Sequence, residues 1–414
     1  MLLKKLLIPI ICLLVLISAC ETGDTAGAVV STNDLTVSTN ENQAAGTVLI
    51  TIPGTTNVGD LSFALSSESI EGAFSVNSAT GELAIADATL FDFETNPTLT
   101  AEVAVSNGTV SQSATITVNL IDVFEVVWTD GLFTNSFGAI EDHQIVVFKA
   151  SLWMIGGIRN NTRTNEVWTS TDALDWTQVT TTGSVFPAIS GHQVVAFADK
   201  IWVIGGMTDS GATAGIWSST DGTTWVQETT STIFSARANH TAVVHNNQLW
   251  VIGGNEGTTS AEVWTSTDGL AWTQIAATGT ALPAREGHGL VSFNDSLTVM
   301  AGNNGTGLNN EVWKSLDGLT WVQSNPIGDV FSARVNHSVI SVLGRLWVTA
   351  GRDASGTQLN DTWTSTDGFT WTLHTPAQLY PVRENASLFS LSSAVWLSGG
   401  NGSTGSLSDI WLGN

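Results

Sequence analysis

Tyrosine occurs once in this 414-residue chain, cysteine twice, and lysine with arginine only 13 times against 37 aspartates and glutamates. Each scarcity removes a class of explanation. The two thiols, Cys12 and Cys20, both fall in the opening segment, so no disulfide framework staples the remainder and its stability must come from packing. A formal charge of -24 at pH 7 excludes nucleic acid as a partner, because affinity for a phosphate backbone comes mainly from lysine and arginine displacing counterions. Long apolar runs are also missing. The longest, LLIPIICLLVLISAC at 6–20, is too short and too abruptly ended for a spanning helix.

Lys4 and Lys5 precede that run, which reads as a secretion signal. It closes on Ile17-Ser18-Ala19-Cys20, which resembles the lipobox of bacterial lipoproteins. The resemblance implies removal of the signal peptide 1–20, a diacylglycerol on the Cys20 thiol, and a lipid-anchored place in the cell envelope, at the outer membrane or cell surface. An ordinary signal peptide with an incidental cysteine is the alternative. Residues 21–33 are largely small and polar and read as a tether.

Between 34 and 122 the chain alternates in short runs such as TVLITI, ELAIAD, LTAEVAV and ATITVNL, broken by Gly, Asn, Asp and Ser. That pattern predicts a small antiparallel β-sandwich. From Glu21 to Asp122 there are carboxylates but no lysine or arginine, a segment that either repels as a solvated surface or collects divalent cations. The motifs NENQAAGT at 40–47, FSVNSATGEL at 74–83 and LFDFE at 90–94, with a last strand ending Ile121-Asp122-Val123, resemble a single cadherin repeat. The resemblance implies calcium held by Glu41, Asp92, Glu94 and Asp122, since hard cations take several carboxylate and carbonyl oxygens. Two departures weigh against it: Asn107 stands where aspartate is usual, and no D-x-N-D-N linker follows Asp122. The alternative is that these carboxylates cap turns and stay solvated.

From residue 123 one unit recurs about every 48 residues. Its first strand is led by His143, His192, His240, His288 and His337, and its second carries Trp153, Trp202, Trp250, Trp347 and Trp396, with Thr298 in the fourth unit. Each second strand ends in a Gly pair or Ala-Gly; Trp168, Trp217, Trp264, Trp313, Trp363 and Trp411 mark the third strand, and Trp176, Trp225, Trp272, Trp321 and Trp371 the fourth. Four strands per unit make a blade, and six units make a ring. The sixth unit stops at Trp411 without its fourth strand, whereas Glu125-Val126-Val127-Trp128-Thr129 lies 48 residues before Trp176, in the phase of the missing element. The N-terminal strand is therefore expected to complete the last blade and remove an open sheet edge. The unit resembles the Kelch repeat, as found in the central domain of galactose oxidase. The expected fold is thus all-β: a cadherin-like sandwich at 34–122 and a six-bladed Kelch-like β-propeller at 123–414, the ring closed by an N-terminal strand.

Five histidines at a fixed period look like a metal cluster, but a ring puts one in each blade, so they read as packing residues. The near-repeat S-x-D-G-x-x-W between strands three and four is similar to the Asp-box turns of sialidase-like propellers and reads as a tight hairpin. Four of the eight arginines share one repeat position: Arg237, Arg285, Arg334 and Arg383, with Ile140 and Ile189 in the first two units. The Kelch resemblance implies that this position faces the central channel and holds an acidic ligand. Tyr380, Phe234 and Phe331 at the rim would add stacking. The competing reading has each arginine bonded to carboxylates of its own blade, such as Glu286 or Glu384. The loops after the Gly pairs (IRNNTRTN, NEGTTSAE, RDASGTQLND) vary while the strands do not, and recognition is expected there.

A lipid tether, an acidic spacer domain and a ligand-presenting ring together favour a monomeric, non-enzymatic binding or adhesion protein that presents a protein or carbohydrate ligand site, with calcium, implied by the cadherin resemblance, as the one cofactor. A sialic-acid mutarotase or sialidase-like enzyme and a scaffold subunit of an envelope complex are the alternatives. A lone tyrosine and a cysteine-free propeller argue against sialidase and copper-oxidase chemistry respectively.

Overall fold

A computed structural model describes residues 27–413, Ala377 excepted. Cys20 and its apolar run lie outside the described residues. Among those described there is no α-helix, only a single 3-10 turn at Ala88–Leu90, and no helix is long and apolar enough to cross a membrane. The chain divides into two compact units at Phe124/Glu125.

In the first unit, Leu35–Asn40, Ser111–Ile121, Thr98–Ser106 and Ser62–Glu68 form one sheet in that order, and Val48–Thr51, Glu82–Ile85 and Phe74–Val76 form a second. The period-2 pattern works as expected: Leu99, Ala101, Val103 and Val105 are buried from one strand and Ala114, Ile116, Val118 and Leu120 from its neighbour. They share one core with Leu83, Ile85 and Phe74 of the second sheet, where Phe74 meets Phe91 edge-on at 5.5 Å. The sandwich is not purely antiparallel. Leu35–Asn40 runs parallel to Ser111–Ile121, with Leu35 opposite Ile116. This first-to-last pairing leaves Asn40 beside Ile121, so that Glu41 is fixed next to the unit's final residues.

The second unit consists of blades that repeat one plan. Blade one, for example, orders Gln144–Phe148, Ser151–Ile155, Val167–Ser170 and Thr177–Gln178 as consecutive antiparallel neighbours. Blades two to five follow the same plan, their innermost strands being Gln193–Phe197, Thr241–His245, Gly289–Phe293 and Ser338–Val342. Blade six orders Ser387–Leu391, Ala394–Ser398, Ile410–Gly413 and then Trp128–Gly131. The innermost strands contact one another in sequence and Ser387–Leu391 returns to Gln144–Phe148, so the six sheets close a ring.

Closure rests on four residue pairs, Trp128 with Gly413, Thr129 with Leu412, Asp130 with Trp411 and Gly131 with Ile410. Trp128 also takes over the role of a fourth-strand tryptophan. In blades one, two, three and five that side chain meets an aromatic edge-on, as in Phe137–Trp176 at 5.0 Å and Phe331–Trp371 at 4.9 Å, while in blade four Leu282 packs with Trp321 instead; in blade six Tyr380 meets Trp128 edge-on at 5.1 Å.

The paired small residues ending each second strand answer to a steric demand. A Cβ on Gly206 would sit 2.7 Å from Cβ of His192 and 2.9 Å from the Ser190 carbonyl, and the backbone there has φ +112°. Gly156 in turn gives room for His192 of the next blade, whose ring lies 2.7 Å from where a side chain would start. The histidines are therefore packing groups wedged between blades, and burial pushes His143 down to about 3 and His192 to about 4, leaving both neutral near pH 7.

The S-x-D-G-x-x-W turns are self-contained. Ser266 Oγ accepts from the Gly269 amide at 2.9 Å, Asp268 Oδ1 accepts from Leu270 and Ala271 at 2.8 and 2.9 Å, and the Trp272 indole donates to the Gly269 carbonyl at 3.1 Å. Those backbone bonds hold the Asp268 carboxyl below its usual range. The turn glycine packs on the second-strand tryptophan of the preceding blade, Gly269 on Trp202 and Gly318 on Trp250. Where Thr298 replaces that tryptophan, Lys314 fills the space beneath Gly368, with Nζ 4.7 Å from the Phe369 ring centroid.

Trp128 is fully buried and Val127, its chain neighbour, is 48% exposed. Trp128→Ala is expected to cost about 3–5 kcal/mol in urea unfolding of the ring, whereas Val127→Ala costs less than about 0.5 kcal/mol. Equal, small effects would show that this strand does not close the domain.

Candidate functional site

The four arginines do not line the channel as free cations. Arg237, Arg285, Arg334 and Arg383 are each 0% exposed and committed within their own blade. In blade five, Arg334 Nε donates to the Ser332 carbonyl at 3.1 Å, Nη1 to the Ala350 carbonyl at 2.9 Å, and Nη2 to Asp361 Oδ2 at 2.6 Å; the Trp363 indole donates to that same oxygen at 2.8 Å. Arg285 with Glu311 and Trp313, and Arg383 with Asp409 and Trp411, repeat the arrangement, as does Arg237 with Glu262 and Trp264. The partner is the acid two residues before each third-strand tryptophan, not Glu286 or Glu384. In blade two both members are absent together, with Ile189 for the arginine and Gly215 for the acid. In blade one, Arg159 comes from a different position to reach Glu166 at 2.9 Å, because Ile140 occupies the usual place. A guanidinium with all three nitrogens engaged and no accessible surface offers nothing to a ligand from solvent, so the expected anion-binding half-ring is corrected to a set of structural braces.

Tyr380, Phe234 and Phe331 likewise belong to the core rather than the rim. Tyr380 is 0% exposed, its hydroxyl bonded to the Asp361 carbonyl at 2.8 Å and to Thr349, and burial pushes it up to about 12. Phe234 and Phe331 pack edge-on against Trp272 and Trp371.

The residues that do face the axis form the column immediately before the histidines: Asp142, Gly191, Asn239, Gly287, Asn336 and Asn385. All hold left-handed backbone, with φ of 55–58°, which explains why only Gly, Asn and Asp occur there. They join in a closed collar. The amide of Asp142 donates to the Asn385 carbonyl (2.9 Å), Asn385 to Asn336 (3.0 Å), Asn336 to Gly287 (2.9 Å), Gly287 to Asn239 (3.0 Å) and Asn239 to Gly191 (2.9 Å). The last link, Gly191 to Asp142, goes to the Asp142 carboxylate oxygen Oδ2 at 2.6 Å.

Collar residues line two cavities. One, of about 90 Å³, is axial and is bounded also by Gln144, Gln193 and Thr241 at the start of the inner strands. The other, of about 440 Å³, opens between the loops of blades four and five and is bordered by Asn239, Asn336, Glu286, Asn303, Leu308 and Arg352. Arg352, at the head of the RDASGTQLND loop, is half exposed and gives Nε to Glu384 at 3.1 and 3.2 Å, and Asn336 Nδ2 also donates to Glu384. Glu286 Oε2 accepts from Asn255 at 2.9 Å. The mouth therefore presents carboxamides, a carboxylate and a guanidinium over the apolar Leu308 and Val335. Of the variable loops singled out by sequence, one contributes to it. The collar asparagines and Glu286 were not anticipated, although the restricted column before each histidine is visible in the repeat.

In the first unit, Glu41, Glu94 and Asp122 come together, with carboxylate oxygens all within 4.8 Å of one another. Asp92 does not join them. It caps its own turn, accepting from the Thr95 amide at 3.1 Å and hydroxyl at 3.0 Å. Glu41 is buried and fixed by the amides of Phe93 and Val123, both at 2.7 Å. A backbone hydrogen bond lowers the Glu94 carboxyl, but burial and the charges of Glu41, Asp122 and Asp92 outweigh it and leave it above the usual range.

Six four-stranded blades whose inner strands close a ring define a β-propeller. Residues 142–342 match the family model described as the KLHDC2/KLHL20/DRC7 Kelch-repeats domain. No curated protein sequence matches the chain.

Removing one partner from a buried brace strands the other. Arg334→Ala is expected to destabilise the propeller by about 3 kcal/mol in denaturant unfolding, and Arg334→Lys restores little because a lysine cannot make the forked contacts. Unchanged stability together with altered ligand retention would return Arg334 to the binding site.

Proposed function

We propose that this is a lipid-anchored, extracytoplasmic binding or adhesion protein, in which a six-bladed Kelch propeller presents a protein or carbohydrate ligand site and a cadherin-like unit precedes it. The observation that carries the reading is the 440 Å³ mouth cavity, formed from the collar and from loops that differ between repeats. A rigid ring supporting variable loops is a usual design for recognition. The carboxamides of Asn239, Asn303 and Asn336 offer donors and acceptors together, which suits hydroxyl groups or peptide bonds. The bracing of Arg237, Arg285, Arg334 and Arg383 and the burial of Tyr380 weaken the case for sialic-acid chemistry, because none of these side chains is accessible at the channel.

The reading is tested by probing glycan and peptide arrays with the delipidated chain. Glu286→Gln, Asn336→Gly, which keeps the left-handed backbone while removing the carboxamide, and Arg352→Ala are each expected to reduce retention of the retained ligand about tenfold or more, the loss of one charged or buried hydrogen bond, with unfolding midpoints little changed. Retention unaffected by all three would place the site elsewhere.

We further propose that Glu41, Glu94 and Asp122, without Asp92, bind calcium. Three converging carboxylates in a segment with no lysine or arginine have no internal countercharge, and a calcium ion would supply it while taking backbone and water oxygens to complete its shell. Millimolar calcium is expected to raise the melting temperature of the first unit in the wild type and not in Asp122→Asn. Asp92→Asn should leave the calcium shift in place. No shift in the wild type would end the proposal.

A further inference from the structure

The collar beneath the mouth is closed by hydrogen bonds of two kinds. Five links run from backbone amide to backbone carbonyl, whereas the Gly191 amide reaches the carboxylate of Asp142. Between blades one and two, the continuity of the ring thus depends on a titratable side chain. We propose that Asp142 is a pH-sensitive latch of the collar, whose ionisation loosens the junction of the first two blades and alters the rigidity of the ring that floors the mouth. Only its effect on ligand retention rests on the mouth being a binding site; the latch itself is a property of the ring.

The surroundings of Asp142 set the direction. Beside it in the chain, Glu141 is 8% exposed and is itself raised, first by burial and then by Glu384 of blade six, against hydrogen bonds from Ser406 and Asn401. From blade two come the Gly191 amide and the Ser190 hydroxyl. From the loop of blade one comes Arg163, which is shared with Ser190 Oγ at 3.2 Å and Asp209 at 3.2 Å. His143 and His192 follow in the chain and remain neutral across the range in question. Burial dominates and pushes the Asp142 carboxyl up to about 7; the Glu141 charge adds to this, and the bonds from Gly191 and Ser190 with the charge of Arg163 oppose it.

An opened junction admits water and returns the carboxyl towards its ordinary acidity, so the open form sheds its proton first. Raising the pH from the ordinary carboxylate range up to about 7 therefore favours opening, with little further effect above it. Lowering it leaves a neutral carboxyl that tolerates burial and still accepts the Gly191 amide through its carbonyl oxygen. An asparagine at 142 retains that acceptor without titrating.

Hydrogen–deuterium exchange of the full chain from pH 6 to 8.5 reads the latch directly. In peptides covering Gly191, the ratio of exchange rates of wild type to Asp142→Asn is expected to rise up to about tenfold, mostly between pH 6 and about 7.5, and then to level off, a ratio in which the base catalysis of exchange cancels. Peptides covering Gly287, whose link is backbone to backbone, should show a flat ratio. Glu141→Gln removes the neighbouring charge and should shift the wild-type rise to lower pH, which supplies a second handle if Asp142→Asn folds poorly. A flat ratio at Gly191, or an equal rise at Gly287, would overturn the latch. Absence of any array ligand would instead overturn the mouth, with the exchange ratio unaffected.

Discussion

The pairing of Trp128–Gly131 with Ile410–Gly413 is the constraint on which the propeller depends. A row of twisted sheets has two ends, each exposing unpaired backbone, and a ring has none. Once the ends are joined, each blade has a neighbour on both sides, and every inter-blade contact becomes possible at once. The histidine wedges, the turn glycines lying on the previous blade's tryptophan, and the collar all need that second neighbour. Placing Trp128 against Tyr380 completes the aromatic pairing of the sixth blade and gives the joining strand its apolar anchor.

Within that ring, charge is handled locally. The chain carries far more carboxylates than cations, and it places four of its eight arginines where each is enclosed by an acid, two carbonyls and an indole that shares the acid, with Glu256 as a second acid for Arg237. This keeps the blade interiors free of unpaired charge, at the cost of leaving the mouth to be furnished by less obvious residues. Those residues are the collar asparagines, whose left-handed backbone follows from the tight approach of six chains around one axis.

Much of the architecture was legible because packing repeats. Period-2 burial marked the strands of the first unit, and the spacing of Trp128 from Trp176 placed the joining strand in phase with the absent fourth strand of blade six. The site was less legible, for physical reasons that can be named. Arg334 and Asp361 lie 27 residues apart, and only the third-strand tryptophan fixes their meeting, so a column of arginines read alone looked available to a ligand. The acid two residues before each tryptophan, missing in blade two together with the arginine, was the signal for the pairing. In the first unit, Asp92 and Glu94 share a motif, yet the backbone turns Asp92 towards Thr95 while Glu94 joins Glu41 and Asp122. A two-residue spacing says nothing about which way a loop rotates. The parallel pairing of Leu35–Asn40 was equally hidden, since alternation is the same for either strand direction.

The joining strand also sets a timetable. Thr129 and Leu412 meet across 283 residues, so a ribosome must finish nearly the whole domain before blade six has its outer strand. Contacts of such sequence separation form late and slowly. Until Ile410–Gly413 has been made, the emerging blades carry an open edge, a form that other unfinished chains can pair with. A chain cut short before Ile410 would keep Trp128–Gly131 without a partner, and its blades would have no clasp.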